Sequence, residues 1–337
     1  MQTEPLVNVP ASKLRMCYRK PFNCIASPRC IQILSMGMIS RLLGLGLTII
    51  SSVTVAAPNM RHPALDPPTD SSPASHSVAK EAPLSPATQG QTEWLNHRSS
   101  DGSTPSGEEQ RLLWLLNRAR SDPATEGEWL ATATDWDIRG GRDYFNVDLS
   151  LLRSAFNSIS SRPPAAFDIR LHQASREHSL ALIERDSQDH IGQIDKIASS
   201  GFNYSYTRAS VFAYASSALN AHAALNIDWG GTASTGGMQN PPGHRIAIMD
   251  SNNEELSNVG LAIVPESNGG TSVGPQVFSG AYCRGGVSEH NRFLVGTIWQ
   301  DFNNNNEYDS GEGLGGIHVI PDNASYYATT GDAGGYA

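Results

Sequence analysis

The chain has 337 residues, of which 39% are hydrophobic and 17% are charged, and its formal net charge at pH 7 is −9. Six basic groups and one acidic group lie in residues 1–57, so the remainder carries 18 basic and 32 acidic groups, a net charge of −14. A charge of this sign repels phosphate backbones and anionic lipid, and it excludes nucleic acid as a partner.

The first 57 residues have the pattern of a leader that ends in a secretory signal peptide. Arg41 precedes an apolar run at 42–55, and Ala56 and Ala57 follow it, which is the charged, apolar and small-residue order of such peptides. We therefore expect a secreted or cell-surface protein that is cleaved after Ala57 and has no membrane span afterwards. An uncleaved anchor is the alternative, but the run is shorter than the roughly 20 apolar residues that span a bilayer.

Cys283 is the only cysteine in the sequence after this leader, so the rest of the chain forms no intramolecular disulfide. Residues 58–105 are rich in Pro, Ser, Thr and Ala and have few large apolar side chains, which predicts a disordered linker. The length allows two domains after it. We expect a central domain at 106–290 and a C-terminal domain at 291–337.

Three patterns in the central region predict helices. Ser106 and Glu109 have the Ser-x-x-Glu spacing of a capping box, and the helix that follows should end near Arg120. A second amphipathic pattern starts at Asp168, and a third covers about 209–225.

Strand-like runs follow these helices at 258–264 and 275–283, with Gly-rich turns between them. Before the runs, a Pro-Pro-Gly sequence at 241–243 leads into His244 and a short apolar helix. Helices followed by strands predict the α+β class.

The central region carries seven motifs in this order: LLNRARSDP (115–123), PPAAFDIRLHQASREHSLAL (163–182), DHIG (189–192), VFAYA (211–215), AHAALNIDWG (221–230), GMQNPPGHR (237–245) and NVGLAIV (258–264). The series resembles a bacterial member of the CAP superfamily, the family of cysteine-rich secretory proteins, antigen 5 and pathogenesis-related 1 proteins. The resemblance covers about residues 108–283. It implies a CAP-type α-β-α sandwich, an extracellular location and a large cleft, which many members line with two His and two acidic residues. In some members the His pair binds zinc or another divalent ion.

On this resemblance, His190 and His244 match the two histidines of the family's cleft. Ala209 occupies the position of the first family Glu. The second Glu has no clear counterpart, although His222 and Asp228 lie in the corresponding part of the chain and are the candidate cleft-binding residues. His222 also lies on an apolar stripe, which favours a hydrogen-bonded core histidine.

The residue types at this site limit its chemistry. Two neutral imidazoles leave a divalent ion short of donors, so His190 and His244 predict at most a weak, open zinc site completed by water. With Ala209 in place of a Glu, a general acid–base pair is incomplete. A nucleophile is also missing, because no Gly-x-Ser-x-Gly motif occurs and Cys283 lies in a strand pattern.

The C-terminal region contains a twelve-residue loop, DFNNNNEYDSGE at 301–312. Oxygen donors at positions 1, 3, 5, 7, 9 and 12 of such a loop bind Ca²⁺, the seventh through its backbone carbonyl. Position 6, usually Gly, is Asn306, a residue type that tolerates positive φ. The sequence predicts a weak calcium site suited to extracellular concentrations. The predicted ligands are Asp301, Asn303, Asn305, Glu307, Asp309 and Glu312.

The flanks of this loop are β-like, with runs at 293–299, 315–321 and 325–330. From Gly296 onward the sequence resembles the start of the B-like repeat of serine-aspartate repeat surface proteins (the SdrD B-like domain), a calcium-binding β-sandwich of cell-surface adhesins. The resemblance implies an incomplete C-terminal β-sandwich.

Together these features predict an exported protein in which a cleft binds a lipid, glycan or protein ligand and a calcium-stabilised module serves surface attachment. An alternative is a metal-assisted extracellular hydrolase, similar to a protease, with His190 and His244 as catalytic residues. A third interpretation is a structural surface component in which neither site is active.

Overall fold

The computed structural model describes residues 30–34, 91–98, 104–267, 269–322 and 324–337. The predicted signal peptide and residues 58–90 of the predicted linker lie outside the described residues. The chain divides into two compact units. Among the described residues, the larger unit spans 111–293, and the smaller unit comprises 30–34, 91–98, 104–110 and 294–337.

The described residues combine helices and sheets, which confirms the predicted α+β class. A π-helical turn at Ala224–Asp228 continues the seventh helix, and a 3₁₀ turn lies at Ala233–Thr235. The helices are α1 Gly107–Ser121, α2 Pro123–Thr132, α3 Trp136–Tyr144, α4 Leu149–Asn157, α5 Ile169–Arg185, α6 Gln193–Ser199, α7 Ala218–Ala223 and α8 Gly243–Met249.

A four-stranded sheet lies in the larger unit. Its strands are β3 Ala166–Phe167, β4 Tyr204–Ala215, β5 Asn258–Pro265 and β6 Gln276–Gly285, in the order β3-β5-β6-β4. β3 pairs with β5 in parallel, and the other pairs are antiparallel. Both strand-like runs predicted in the central region are therefore confirmed as β5 and β6.

Helix α5 packs closely on this sheet. A Cβ atom at Gly260 of β5 would lie 2.0 Å from the carbonyl carbon of Leu171, so only glycine allows the backbones to approach this far. The hydroxyl of Ser175 donates to the Gly260 carbonyl at 2.8 Å. The hydrophobic cluster around this contact consists of Leu171, Ala174, Ile197, Phe202, Ala209, Ala281 and Cys283.

Two predicted helix starts are confirmed by their caps. Ser106 and Glu109 form the reciprocal capping box, with Ser106 N donating to Glu109 Oε2 at 2.8 Å and Glu109 N to Ser106 Oγ at 3.3 Å. Asp168 accepts the backbone N–H of Arg170 at 2.9 Å at the start of α5. The short helix predicted at His244 is also confirmed as α8.

The predicted helix over 209–225 is wrong for its first half, because residues 209–215 belong to β4. Ala209 pairs with Ala281 and Phe212 with Phe278 on β6. Both faces of this part of β4 are buried, so its continuous apolar run lacks the alternation that identifies a strand. The helix begins only at Ala218.

The smaller unit contains two three-stranded sheets. Its strands are β1 Cys30–Leu34, β2 Thr92–Glu93, β7 Val295–Trp299, β8 His318–Val319, β9 Tyr326–Thr329 and β10 Gly335–Tyr336, in the orders β1-β7-β10 and β2-β9-β8. Strand β1 falls in the range predicted as leader and β2 in the range predicted as linker, and both pair with C-terminal strands. The strand-like runs predicted around the loop contain β7, β8 and β9.

Among the residues that the structure describes, every helix is too short or too polar to cross a lipid bilayer.

Candidate functional site

His244 is fixed by a buried carboxylate. Asp228 Oδ1 lies 2.7 Å from His244 Nδ1, and Asp228 Oδ2 accepts the His244 backbone N–H at 3.1 Å. The exposed fractions of the two residues are 4% for His244 and 0% for Asp228. Because a carboxylate accepts hydrogen bonds, Nδ1 carries the proton of the neutral imidazole, and Nε2 is left with a lone pair.

Asp228 is itself held from several sides. It is the last residue of the π-helical turn and has a φ of 57°, in the left-handed region that costs a non-glycine residue energy. Arg245, which is also buried, donates to the carbonyls of Asn226 at 2.6 Å and Ile227 at 2.5 Å, while Gln239 N donates to the Asp228 carbonyl at 2.6 Å. These bonds satisfy the carbonyls of the turn and fix the carboxylate against His244.

His190 is fixed by an amide instead. Its Nδ1 lies 2.6 Å from Gln193 Oε1. The Gln193 amide nitrogen donates to two backbone carbonyls of the sheet, Ser210 at 3.1 Å and Gly280 at 3.4 Å. The amide oxygen therefore faces His190 as an acceptor, so Nδ1 carries the proton of the neutral ring. His190 Nε2 is buried and has no hydrogen-bond partner among the described residues.

The two histidines lie within electrostatic reach of each other. Burial lowers the pKa of His190 and the hydrogen bond with Gln193 opposes this, while a positive charge on a protonated His244 would lower the pKa further and the charge of Asp189 opposes it. The structure therefore joins His244 to Asp228 by hydrogen bonds, and a positive charge on His244 would reach His190.

The fourth residue, His222, has a different surrounding. Its Nε2 lies 2.7 Å from Glu126 Oε1, and Glu126 also accepts two bonds from Arg118, at 2.8 and 2.9 Å. Burial would raise the pKa of Glu126, but the charge of Arg118 and the bond from His222 outweigh it and lower the pKa to about 2. The guanidinium of Arg118 stacks 4.0 Å from the centre of the Trp129 ring. His222 thus belongs to a buried ionic network.

The imidazole of His178 also lies near His190, and His178 was not predicted as a site residue. Its Nε2 lies 3.0 Å from the Asp189 carbonyl, so Nε2 carries the proton, and its buried Nδ1 has no partner among the described residues. Burial lowers its pKa to about 4, and the charge of His190 is among the further causes. A neutral ring at this position adds no positive charge beside His190.

Two positions singled out by sequence, Ala209 and Cys283, offer no catalytic group. Ala209 lies in β4 with 8% exposure. The thiol of Cys283 is fully buried, and burial raises its pKa to about 12, so it is not a nucleophile at neutral pH.

The predicted calcium loop is folded around its own carboxylates. Asp301 accepts the backbone N–H groups of Asn305 and Asn306 at 3.2 and 2.9 Å, and Asn306 has the positive φ expected of position 6, at 62°. The amide nitrogens of Asn303 and Asn305 both donate to Asp309 Oδ2, at 2.8 and 2.7 Å. These two N–H donors partly offset the negative charge of the Asp309 carboxylate, which a bound cation would otherwise offset.

Glu312, the last residue of the loop, bonds back to its start and to Asp309. Its two oxygens accept the backbone N–H groups of Phe302 and Asp309, each at 2.9 Å. Burial raises the pKa of Glu312, these two bonds oppose the shift, and the charges of Asp309 and Asp301 add to it. A buried carboxylate beside two others is a group that a bound cation stabilises.

Within the described residues, no three His, Cys, Asp or Glu side chains converge in a metal-binding arrangement. The predicted donors of the loop include two Asn side chains and the Glu307 carbonyl, which are oxygen ligands outside that set.

No protein-family model, no curated protein and no solved structure matches the chain.

Sequence reasoning missed Gln193 and Glu126, which determine the surroundings of His190 and His222. Gln193 follows His190 by three residues, and this His-x-x-Gln spacing was the available signal. Glu126 carried no such signal, because 96 residues separate it from His222.

Proposed function

We propose that the chain is an exported CAP-type protein whose larger unit binds a ligand at His190 and His244, and whose smaller unit is a calcium-stabilised surface module. One observation carries the first part of this proposal. The imidazoles of His190, which is half-buried, and His244, which is buried, lie within electrostatic reach, and each has its Nδ1 proton engaged by a protein acceptor, so each retains an Nε2 lone pair. The motif series from 115 to 264 supports the CAP assignment and the export.

The ligand is a lipid, glycan or protein of the extracellular space. Zn²⁺ fits the donor chemistry of the same site, because neutral imidazole nitrogen is a common zinc ligand. His190 and His244 would hold the ion, and Asp228 and Gln193 would orient them. A bound zinc ion would supply Lewis acidity, while the protein groups only position the two rings.

A hydrolase is the second candidate function, and the Asp228–His244 pair favours it. A carboxylate that fixes the tautomer of a histidine is also how many hydrolases orient a general base. Against this, Ala209 provides no carboxylate and Cys283 is inert, so a partner for the base is missing on the described elements.

The smaller unit supports calcium through donor chemistry. Ca²⁺ prefers carboxylate and carbonyl oxygens, and the loop supplies Asp301, Asp309 and Glu312 together with two Asn side chains. Calcium would stabilise the folded loop, because an ion that binds only the native state shifts the folding equilibrium.

The test compares the wild type with His190→Ala/His244→Ala. Lipid, glycan and zinc binding by calorimetry, lost in the double variant and without turnover of the captured ligand, supports the binding function. Turnover in a peptide and ester panel that His244→Ala abolishes supports the hydrolase. Identical isotherms for both proteins rule out the site and leave a structural surface component.

A further inference from the structure

We infer that Gln193 is a positioning residue that fixes His190 in its Nδ1–H form, so that the site meets its ligand with two lone pairs and selects an electron-pair acceptor over an anion. This inference rests on the proposed function, since it concerns the ligand of that site. The group that carries it is the buried side-chain amide of Gln193.

The orientation of the Gln193 amide is fixed by the sheet. Its nitrogen donates to the carbonyls of Ser210 on β4 and Gly280 on β6, at 3.1 and 3.4 Å. Gln193 is 2% exposed, so water does not replace these bonds. The reversed amide would set its oxygen against two carbonyl oxygens, and this repulsion is not tolerated in a buried site.

The fixed amide then selects the tautomer of His190. Gln193 Oε1 lies 2.6 Å from Nδ1 and only accepts, so Nδ1 must donate. The neutral ring has one proton, and Nε2 is therefore an acceptor. Nε2 is buried and has no hydrogen-bond partner among the described residues, which points to a partner that comes from outside the protein.

Asp228 makes the same selection at His244 with a carboxylate. The two rings therefore present lone pairs by means of different partners, one amide and one carboxylate. Two lone pairs repel the oxygens of a carboxylate or phosphate and attract a metal cation or a pair of donor hydrogens.

His178 provides an internal reference for this inference. It donates from Nε2 to the Asp189 carbonyl, so it should have the opposite tautomer to His190 in the same protein. Gln188 provides a matched control variant. This second buried glutamine accepts the backbone N–H of Ala213 on β4 at 2.8 Å, and its bond is to the sheet rather than to a histidine.

The experiment records two-bond ¹H–¹⁵N correlation spectra of the imidazoles in the full chain without metal, near pH 7.5, and then titrates Zn²⁺ by calorimetry. In the wild type we expect the Nδ1–H form for His190 and the Nε2–H form for His178. Gln193→Leu should shift His190 toward the Nε2–H form and weaken zinc binding about 10- to 100-fold. Gln193→Glu, as a neutral carboxylic acid whose O–H donates to the Ser210 or Gly280 carbonyl, keeps an acceptor for Nδ1 and should restore the Nδ1–H form, while Gln188→Leu should change neither measurement.

An Nε2–H form of His190 in the wild type, or a wild-type tautomer in folded Gln193→Leu, overturns the inference. If Gln193→Leu does not fold, the wild-type spectrum and Gln193→Glu decide the question. Tautomers that behave as expected in a protein that binds no zinc and no ligand would support the role of Gln193 and overturn the proposed function, so the two failures are distinguishable.

Discussion

Asp228 bonds twice to His244, through Oδ1 to the ring Nδ1 at 2.7 Å and through Oδ2 to the backbone N–H at 3.1 Å. Because each carboxylate oxygen makes one of these bonds, an Asn substitution can preserve one bond but must change the other. In Asp228→Asn, the amide oxygen should remain on the backbone N–H, and the amide nitrogen should face Nδ1 and donate to it. The ring then takes the Nε2–H form, so its lone pair lies on Nδ1 and Nε2 no longer has one.

We therefore expect Asp228→Asn to weaken zinc or ligand binding about 10- to 100-fold, as other changes to the supporting groups of metal-binding histidines do. Calorimetry measures the affinity, and imidazole ¹⁵N shifts report the tautomer. Unchanged affinity together with a switched tautomer would show that His244 Nε2 does not contact the ligand.

Stability should fall between neutral pH and about pH 4 because of His178. Burial lowers the pKa of His178 from 6.5 to about 4, so below pH 6.5 the unfolded chain takes up a proton that the folded chain refuses. The contribution is complete above pH 6.5 and is lost as pH falls through the window to about 4, by up to roughly 3 kcal/mol. Urea denaturation at several pH values measures it.

The matched variant for this prediction is His178→Gln, which keeps a donor for the Asp189 carbonyl but does not titrate. Its free energy of unfolding should depend less on pH between 6.5 and 4 than that of the wild type. Equal slopes for both proteins would assign the pH dependence to other groups.

Removal of the buried carboxylate of Glu126 should be costly. Glu126→Ala leaves Arg118 and His222 without their shared partner, and loss of one member of a buried ion pair costs about 3–5 kcal/mol. The control is Glu128→Ala, two residues along α2, because Glu128 is exposed and pairs with Arg153 at the surface. Urea midpoints of the two variants should differ clearly, and similar midpoints would contradict the ionic network.

Millimolar calcium should raise the melting temperature of the full chain relative to chelator, since calcium at ten times its Kd adds about 1.4 kcal/mol of stability. Asp301→Asn removes a ligand charge and keeps an acceptor for only one of the Asn305 and Asn306 N–H groups, so it should abolish this rise and also lower the melting temperature in chelator. Asp332→Asn, at an exposed position outside the loop, should leave the rise intact. A wild-type melting curve that calcium does not change would remove the site.

Local signals in the sequence were sufficient where a structure depends on neighbouring residues. The helix starts at Ser106 and Asp168 and the short apolar run of β5 depend on residues a few positions apart, and each was predicted. Strand β4 was not, because its apolar run fits a buried helix as well as a strand with two buried faces. Only its pairing with β6, about 70 residues later, decides between them.

The same distinction between local and long-range contacts applies to the candidate site. The motif order predicted His190 and His244 as site residues, but the groups that set their tautomers come from folding: Gln193 is oriented by two carbonyls that are distant in sequence, and Asp228 reaches His244 across 16 residues. The pairing of Glu126 on α2 with His222 on α7 depends wholly on the tertiary fold, because 96 residues separate them.

The π-helical turn at Ala224–Asp228 affects how the contact between Asp228 and His244 can change in evolution. Such a turn holds about one more residue than an α-helical turn, so insertion or loss of a single codon would interconvert the two. Loss of that codon would advance Asp228 by about 100° around the helix axis and turn its carboxylate away from His244. The contact between these two residues is therefore gained or lost through one in-frame event, with no substitution at either position.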